Sequence, residues 1–282
     1  MTVSTSTGSG STEWLARARE EGGPSGEPRR DRQFVEALAR GLEVLRAFQP
    51  NHAQLGNQEI ARATGLPKPT VSRLTYTLTK LGYLTYSDRL GKYQLGAPAL
   101  ALGYAVLSNM GIRQLARPHM QELADYSGAS VALGSRDRLN LIYVEYCRSN
   151  AAVTLRLDLG SKVPIATTSM GRALLAALPE SERVHLMDFI AKREPDRWPQ
   201  IRAGIERGLD DYATRGFTMS IGEWKSDVNA VGVPLIPSDG SPIMVFNCGA
   251  PSFQLSRERL ETDIGPRLVN MVRGVEVLLG HR

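Results

Sequence analysis

Cysteine is almost missing from this chain of 282 residues: Cys147 and Cys248 are the only two. That excludes a disulfide scaffold. Neither lies in a run of His, Cys or carboxylates with metal-ligand spacing, so no metal and no cofactor is expected. Long apolar runs are missing too. None approaches the roughly 18 residues that a membrane-spanning helix needs, so a membrane is not an expected partner. The N-terminal residues are rich in Ser, Gly and Thr, carry acidic side chains and lack an apolar stretch. That argues against a secretory leader and for a cytoplasmic location. Within residues 1–30, Gly22-Gly23-Pro24-Ser25-Gly26-Glu27-Pro28 cannot support an element, and the segment is expected to be a disordered tail in which Trp14 and Leu15 form at most a short amphipathic patch. The four histidines, His52, His119, His185 and His281, are scattered and none stands beside a nucleophile.

What is present fits a two-domain protein. The length allows two cores, and an apolar fraction of 42% is ordinary for a globular chain. The net charge of +5 is uneven: residues 1–96 hold 13 Lys and Arg against 9 Asp and Glu, whereas the remaining residues hold 21 against 20. The basic excess therefore lies in the N-terminal third, as neutralisation of phosphate would require.

The most informative stretch lies in that third and runs Gln58-Glu59-Ile60-Ala61-Arg62-Ala63-Thr64-Gly65-Leu66-Pro67-Lys68-Pro69-Thr70-Val71-Ser72-Arg73-Leu74. It reads as two helices joined by a tight turn. Gly65 ends the first helix, and Pro67 pre-sets φ for the next. In the second helix Val71, Leu74, Leu78 and Leu81 share one face, while Lys68, Thr70, Ser72, Arg73, Tyr76 and Thr77 occupy the other. A short helix with an apolar back and a front of hydroxyls and cations suits a DNA major groove; a solvated helical hairpin is the alternative. Gly82 closes this helix. Two strands follow, Tyr83-Leu84-Thr85-Tyr86 and Tyr93-Gln94-Leu95, around a basic tip in which Arg89 and Lys92 can reach phosphate. A first helix is expected over residues 34–48, with Phe34, Leu38, Leu42, Leu45 and Phe48 along one side. Three helices and a hairpin make a winged helix-turn-helix.

In these residues the chain resembles the IclR family of bacterial transcription regulators. The resemblance is carried by Arg40-Gly41-Leu42-Glu43-Val44-Leu45 and Phe48, by Glu59-Ile60-Ala61, and by Thr64-Gly65-Leu66-Pro67-Lys68 with Thr70-Val71-Ser72-Arg73-Leu74. It continues in Leu81-Gly82-Tyr83-Leu84 and Tyr93-Gln94-Leu95-Gly96, then in blocks at residues 160–175 and 215–260. Asp31-Arg32-Gln33-Phe34-Val35 looks like the subgroup that controls aromatic-acid catabolism. The chain departs from the family at Pro69, where a Ser is common, and this removes a backbone donor that could have met a phosphate.

The expected plan is α+β: a tail over 1–30, a winged helix-turn-helix over 31–96, a linker helix over 97–110 and a second domain over 111–282. The linker helix contains Leu100, Leu102, Tyr104, Val106, Leu107 and Met110 and no charge at all. It is apolar on nearly every side, so it must be covered on nearly every side, by a partner chain or by the second domain's core. In proteins that this chain resembles, the linker helix is part of the dimer contact. In the second domain helices are expected over 111–127, 170–178, 180–191 and 201–215, and strands over 129–133, 141–147, 153–157, 230–236 and 243–248. The turn Pro237-Ser238-Asp239-Gly240 and a closing helix capped by Ser256 complete it. Pro118 is expected to kink the 111–127 helix or to start its main part. The resemblance implies a GAF- or PAS-like effector domain with a curved antiparallel sheet.

Catalysis would need a nucleophile with a base. Cys248, before Gly249 at a strand end, is the one candidate, and no neighbouring residue supplies the base, so the chain is not expected to be an enzyme. A ligand site is expected at Thr167-Thr168-Ser169-Met170-Gly171-Arg172. There hydroxyls precede a helix start whose free N–H groups bind anions, although plain N-capping by Thr168 or Ser169 explains the same residues. The resemblance implies that this loop contacts the effector, with facing walls around Leu141 and Tyr143, Asn229 and Ala230, and Phe246 to Cys248. Asn247 is a further polar candidate. The expected function is a DNA-binding transcriptional regulator that responds to a small, carboxylate-bearing metabolite. Its partners would be a double-stranded DNA operator, an organic-acid effector and a second copy of itself, as a dimer or a dimer of dimers. The alternatives are a second domain that only mediates assembly, and an enzyme with an appended winged helix.

Overall fold

Gly65, at φ +71°, ends the helix Asn57–Thr64 in the left-handed conformation that glycine adopts without steric cost. Three residues later the next helix begins. The computed structural model describes residues 33–50, 52–150, 155 and 157–280, and within it the chain divides into two units, Met1–Val106 and Leu107–Arg282. The expected tail over 1–30 and most of the strand expected over 153–157 lie outside the described residues. Leu155 and Leu157, the two described residues of that segment, are not in a strand.

The first unit comprises α1 (Glu36–Arg46), α2 (Asn57–Thr64), α3 (Lys68–Lys80), the hairpin β1 (Leu84–Ser87) and β2 (Lys92–Leu95), and α4 (Ala97–Ser108). Its core is Val44, Phe48, Leu55, Ile60, Leu66, Val71 and Leu84. Pro67 caps α3 and Pro69 lies in its first turn, where no intrahelical N–H bond is lost. Thr75 is buried between the two helices of the turn and hydrogen-bonds Asn57 on α2. A backbone bridge between Leu55 and Tyr93 fastens the hairpin to the segment before α2.

Two expectations about packing are corrected. In α1 the buried side chains are Val44 and Glu43, whereas Leu38 and Leu42 are 62% and 50% exposed. The helix starts two residues later than expected, and only its last turns lie against α3. Leu81 also stands in solvent, because it caps α3 and no longer follows the helical face. In α4 no residue is buried: Leu100, Leu102, Tyr104 and Val106 are all more than half exposed.

In the second unit α5 (Gly111–Ser127) leads into β3 (Ser130–Asp137) and β4 (Asn140–Arg148), then β5 (Lys162–Pro164). Next come α6 (Ser169–Ala177), α7 (Glu180–Arg193) and α8 (Trp198–Arg215). The strands β6 (Thr218–Ile221), β7 (Val228–Leu235) and β8 (Met244–Pro251) follow, and a short turn at Arg257–Arg259 and a π-helical turn at Leu260–Ile264 lead into α9 (Gly265–Leu278). The sheet is antiparallel and curled, with strand order β5-β4-β3-β8-β7-β6. Helix α5 runs unbroken through Pro118, which neither starts it nor ends it. The strand β6 was not anticipated, since Thr218-Met219-Ser220-Ile221 is short and carries no turn signal of its own.

Each face of this sheet has its own core. On one, Met120 and Leu123 of α5 and Leu268 and Val272 of α9 pack on Val131, Val231, Phe246 and Cys248. On the other, Met170 and Leu174 of α6, Leu186 of α7 and Ile205 of α8 pack on Leu141, Tyr143 and Val245. Strand alternation assigns each residue to a face, with one interruption. Leu133 pairs with Glu145 and Gly134 with Tyr143, so Val144 is an extra residue in β4. This bulge turns Tyr143 and Tyr146, three apart, onto one face, where their rings stack at 5.9 Å.

Candidate functional site

The exposed side of α3 carries Lys68, Ser72, Arg73, Tyr76 and Thr77, with Thr70 half-buried at its start. Tyr76 is 64% exposed, and the Lys80 ammonium lies 5.5 Å from its ring centre. The Thr77 hydroxyl donates to the Arg73 carbonyl of its own helix. Among the described residues Lys68, Arg73 and Arg89 have no acidic partner, so these three cations are open to an external anion. Lys92 differs from expectation. It lies in β2 opposite Ser87, behind the turn that holds Arg89, and its ammonium is 3.0 Å from Glu59. The same carboxylate accepts from the Gly56 N–H at the start of α2; that bond first, and Lys92 second, hold it below the usual range. Lys92 is thus tied to the body of the unit by a half-exposed ion pair of at most about 1 kcal/mol, which leaves Arg89 as the free wing-tip cation.

The second unit contains a partly open pocket whose space, mouth included, is about 360 Å³. Its floor is Tyr143 of β4, Asn247 and Gly249 of β8, Val228 and Ala230 of β7 and Ser220 of β6. Thr168 and Ser169 close one end at the start of α6, and Leu155, Val163 and Trp224 complete the wall. Among the described residues no charged side chain lines it.

Close backbone contacts hold the helix start against the sheet. A Cβ on Gly171 would overlap the Ile165 carbonyl, and one on Gly232 would stand 2.7 Å from the Ser169 carbonyl. Only glycine permits either approach. Thr168 caps α6 by accepting from the Gly171 N–H and donates to the Pro164 carbonyl, so its hydroxyl is satisfied within the fold. Thr218 and Ser220 donate to the carbonyls of Ser169 and Thr167. The Ser169 hydroxyl is different. The residue is 1% exposed and its oxygen has no partner, and the Asn247 Oδ1 is likewise buried and unpartnered.

Of the expected effector residues, Tyr143, Thr168, Ser169 and Ala230 come together in this cavity. Six do not line it. Phe246 and Cys248 belong to the opposite face of the sheet, because Asn247 and Gly249 between them take the cavity side. Asn229 is likewise turned away and donates to the Leu255 carbonyl. Leu141 and Met170 are core residues under the helices, and Gly171 serves the helix–loop contact. The sequence reading missed Ser220, Val163, Leu155, Val228, Gly249 and Trp224 as walls. Of these only Trp224, beside Gly222 in a polar loop, offered a local signal.

Behind the helix start lies a buried ion pair. Arg172, 3% exposed at its side chain, grips both oxygens of Glu223 and donates to the Met219 carbonyl. Burial alone would raise the Glu223 carboxyl, but the Arg172 and Arg207 guanidiniums outweigh it and hold the group below the usual range.

The thiols offer no chemistry. Burial pushes Cys248 up to about 12 and Cys147 to about 11, so both stay protonated and unreactive. Among the described residues no His, Cys, Asp and Glu cluster could hold a metal, and no helix is long and apolar enough to cross a membrane.

A winged helix-turn-helix followed by an α+β domain with a pocket at the start of one of its helices defines a class of DNA-binding regulator with a sensor-like domain. The chain belongs to the IclR family of bacterial transcription regulators. Residues 37–88 match the IclR helix-turn-helix domain and residues 104–276 the C-terminal domain of the bacterial transcriptional regulator IclR. An IclR family transcriptional regulator from Brucella abortus is 54% identical, with a TM-score of 0.82 over 88% of this chain and 94% of that one. The HTH-type transcriptional regulator TsaQ1/TsaQ2 of Comamonas testosteroni is 37% identical over 86% of this chain and 88% of its own length. An IclR homolog from Microbacterium hydrocarbonoxydans, solved in complex with 4-hydroxybenzoate, shares the fold at 22% identity, with a TM-score of 0.63 over 86% of this chain and 96% of that one. The protein is therefore a transcriptional regulator with a DNA-binding and an effector-binding domain.

Proposed function

We propose that this regulator binds a small carboxylate-bearing metabolite in the cavity of its second unit, and that occupancy changes how α3 and the wing engage an operator. The observation that carries the reading is the buried, unpartnered Ser169 hydroxyl at the start of α6. A helix N-terminus holds an anion through its free N–H groups and dipole, and the pocket's end lies at such a start. The apolar flanks Leu155, Val163, Val228 and Trp224 suit an organic body behind the carboxylate. The aromatic acid bound by the Microbacterium homolog is an anion of this kind. The effector acts by preferring one conformation of the regulator over another, and the response cannot exceed that preference.

A thermal-shift panel of small carboxylic acids and their neutral amides tests the reading. At a hundredfold excess over its dissociation constant, a bound acid contributes about 2.7 kcal/mol and raises Tm by about 5–10 °C, while its amide raises it less. A panel in which no acid shifts Tm, or in which acids and amides act alike, overturns it.

The reading includes self-association through α4. Leu100, Leu102, Tyr104 and Val106 are exposed on a helix without a charge, and an exposed apolar surface of this kind marks an interface. Paired reading heads would address half-sites about 34–36 Å apart, or a multiple of that. Leu102→Glu should convert the wild-type dimer or tetramer to monomers in light scattering and abolish tight operator binding. A wild-type protein that is monomeric at micromolar concentration ends this part of the proposal.

A further inference from the structure

Glu145 is a carboxylate buried beside an apolar core. It stands on β4, with its side chain 3% exposed, on the face of the sheet that α5 covers. Two arginines of α5 hold it. Arg113 Nη2 lies 3.0 Å from Oε2, and Arg117 takes Oε1, which also accepts from the Tyr146 N–H. Arg113 makes a second contact. Its Nη1 donates at 3.0 Å to the carbonyl of Leu107, in the last turn of α4. The last four carbonyls of a helix lack intrahelical donors, and a cation suits that end of the dipole. Leu107, Arg113, Arg117 and Glu145 all belong to the second unit.

The bulge at Val144 sets this arrangement. Val144 and Glu145 both turn toward α5, while Tyr143 and Tyr146 on either side of them both turn to the opposite face. Tyr143 lines the pocket and stacks on Tyr146. Four consecutive residues of β4 thus carry a pocket wall on one face and the hold on α4 on the other. A bulge shifts register by whole residues, not by fractions. A buried carboxylate is either gripped or left uncompensated at a large cost. The connection therefore has discrete states, which is the property that carries coupling between separated sites.

We infer that Arg113 is a positioning residue that ties the last turn of α4 to the pocket strand, so that a change in β4 reaches the linker helix through Glu145 and Arg113. This rests on the reading of the pocket as the sensing site and names the side chains through which its state is passed on. It also explains why a carboxylate is kept on the core face of β4: an apolar residue there would pack as well and hold nothing.

The test is amide hydrogen exchange on the full chain without ligand, read in a peptide over residues 104–112 and, as a control, in one over 266–278 of α9. Arg113→Gln should raise exchange in 104–112 about fivefold or more and leave 266–278 unchanged. Tyr143→Leu, which removes the ring on the pocket face of the bulge, should raise exchange in 104–112 about threefold. In the double variant the pocket change should add less than about twofold, because the route is already cut. Arg113→Lys separates the two contacts: it keeps a charge for Glu145 but lacks the planar fork that serves two acceptors at once. Its Tm should stay within about 3 °C of wild type while exchange in 104–112 rises as in Arg113→Gln, and this arm decides the matter if Arg113→Gln does not fold. Unchanged exchange in 104–112 in the Arg113 variants overturns the inference. So does a Tyr143→Leu effect of equal size with and without Arg113, or an equal rise in both peptides, which would assign Arg113 to general stability. Since no ligand enters, these failures leave the carboxylate reading standing, and a thermal-shift panel without response leaves the Arg113 contacts standing.

Discussion

An Arg73→Ala variant should bind its operator roughly 5- to 150-fold more weakly than wild type, a loss of about 1–3 kcal/mol, with an unchanged melting temperature. Arg73 is exposed at the centre of the polar side of α3 and has no acidic partner among the described residues. Its guanidinium is free to take guanine O6 and N7 as a bidentate pair or to clamp a phosphate. Salt separates the two. If Arg73 reads a base, the variant loses discrimination between operator and mismatched DNA while keeping its salt slope. If it holds a phosphate, affinity falls alike on all sequences and the slope of log affinity against log salt drops by about one. Fluorescence anisotropy of labelled operator over a salt series measures both, and unchanged affinity at 150 mM salt, roughly physiological, removes Arg73 from the interface.

An Arg172→Met variant should lose about 3 kcal/mol of stability at neutral pH, because removing one partner leaves the Glu223 carboxylate partly buried and opposed only by the exposed Arg207. In a unit of this size the loss appears as a fall in Tm of about 6–12 °C. The pH dependence has a definite sign. The pairing holds the folded Glu223 carboxyl below its ordinary value of 4.5. Its contribution is therefore complete above the unfolded carboxylate range and disappears as the pH falls through the lower, folded value. Melting curves taken from pH 7 downward should thus draw together as Glu223 protonates, first in the variant and then, at lower pH, in wild type. Curves that stay parallel would mean that Arg172 stabilises through packing across Gly204 and Gly208 and not through charge. The pair matters for the cavity as well, since Glu223 adjoins Trp224 of the wall and Arg172 follows Ser169 by one helical turn.

The DNA-reading unit was legible in the sequence because its signals are local. Gly65, Pro67 and the three- and four-residue spacing of Val71, Leu74 and Leu78 specify a helix, a turn and a second helix before any tertiary contact forms, and they leave Arg73 on the polar side. Thr168 could be recognised as a cap for the same reason: its partner, the Gly171 N–H, is three residues away. The cavity was not legible in this way. Whether Asn247 or Cys248 faces it depends on a one-residue phase in β8, which is decided by pairing with β7 and β3 from distant parts of the chain. The phase of β4 is broken at Val144 by a bulge that exists only opposite Leu133 and Gly134. Ser220 and Trp224 come from a strand and a loop that no periodicity announced. The sequence by itself determined the class of protein and its reading helix. Only the tertiary structure decided which side chains meet in the cavity, because side-chain direction in a sheet is set by register with neighbouring strands.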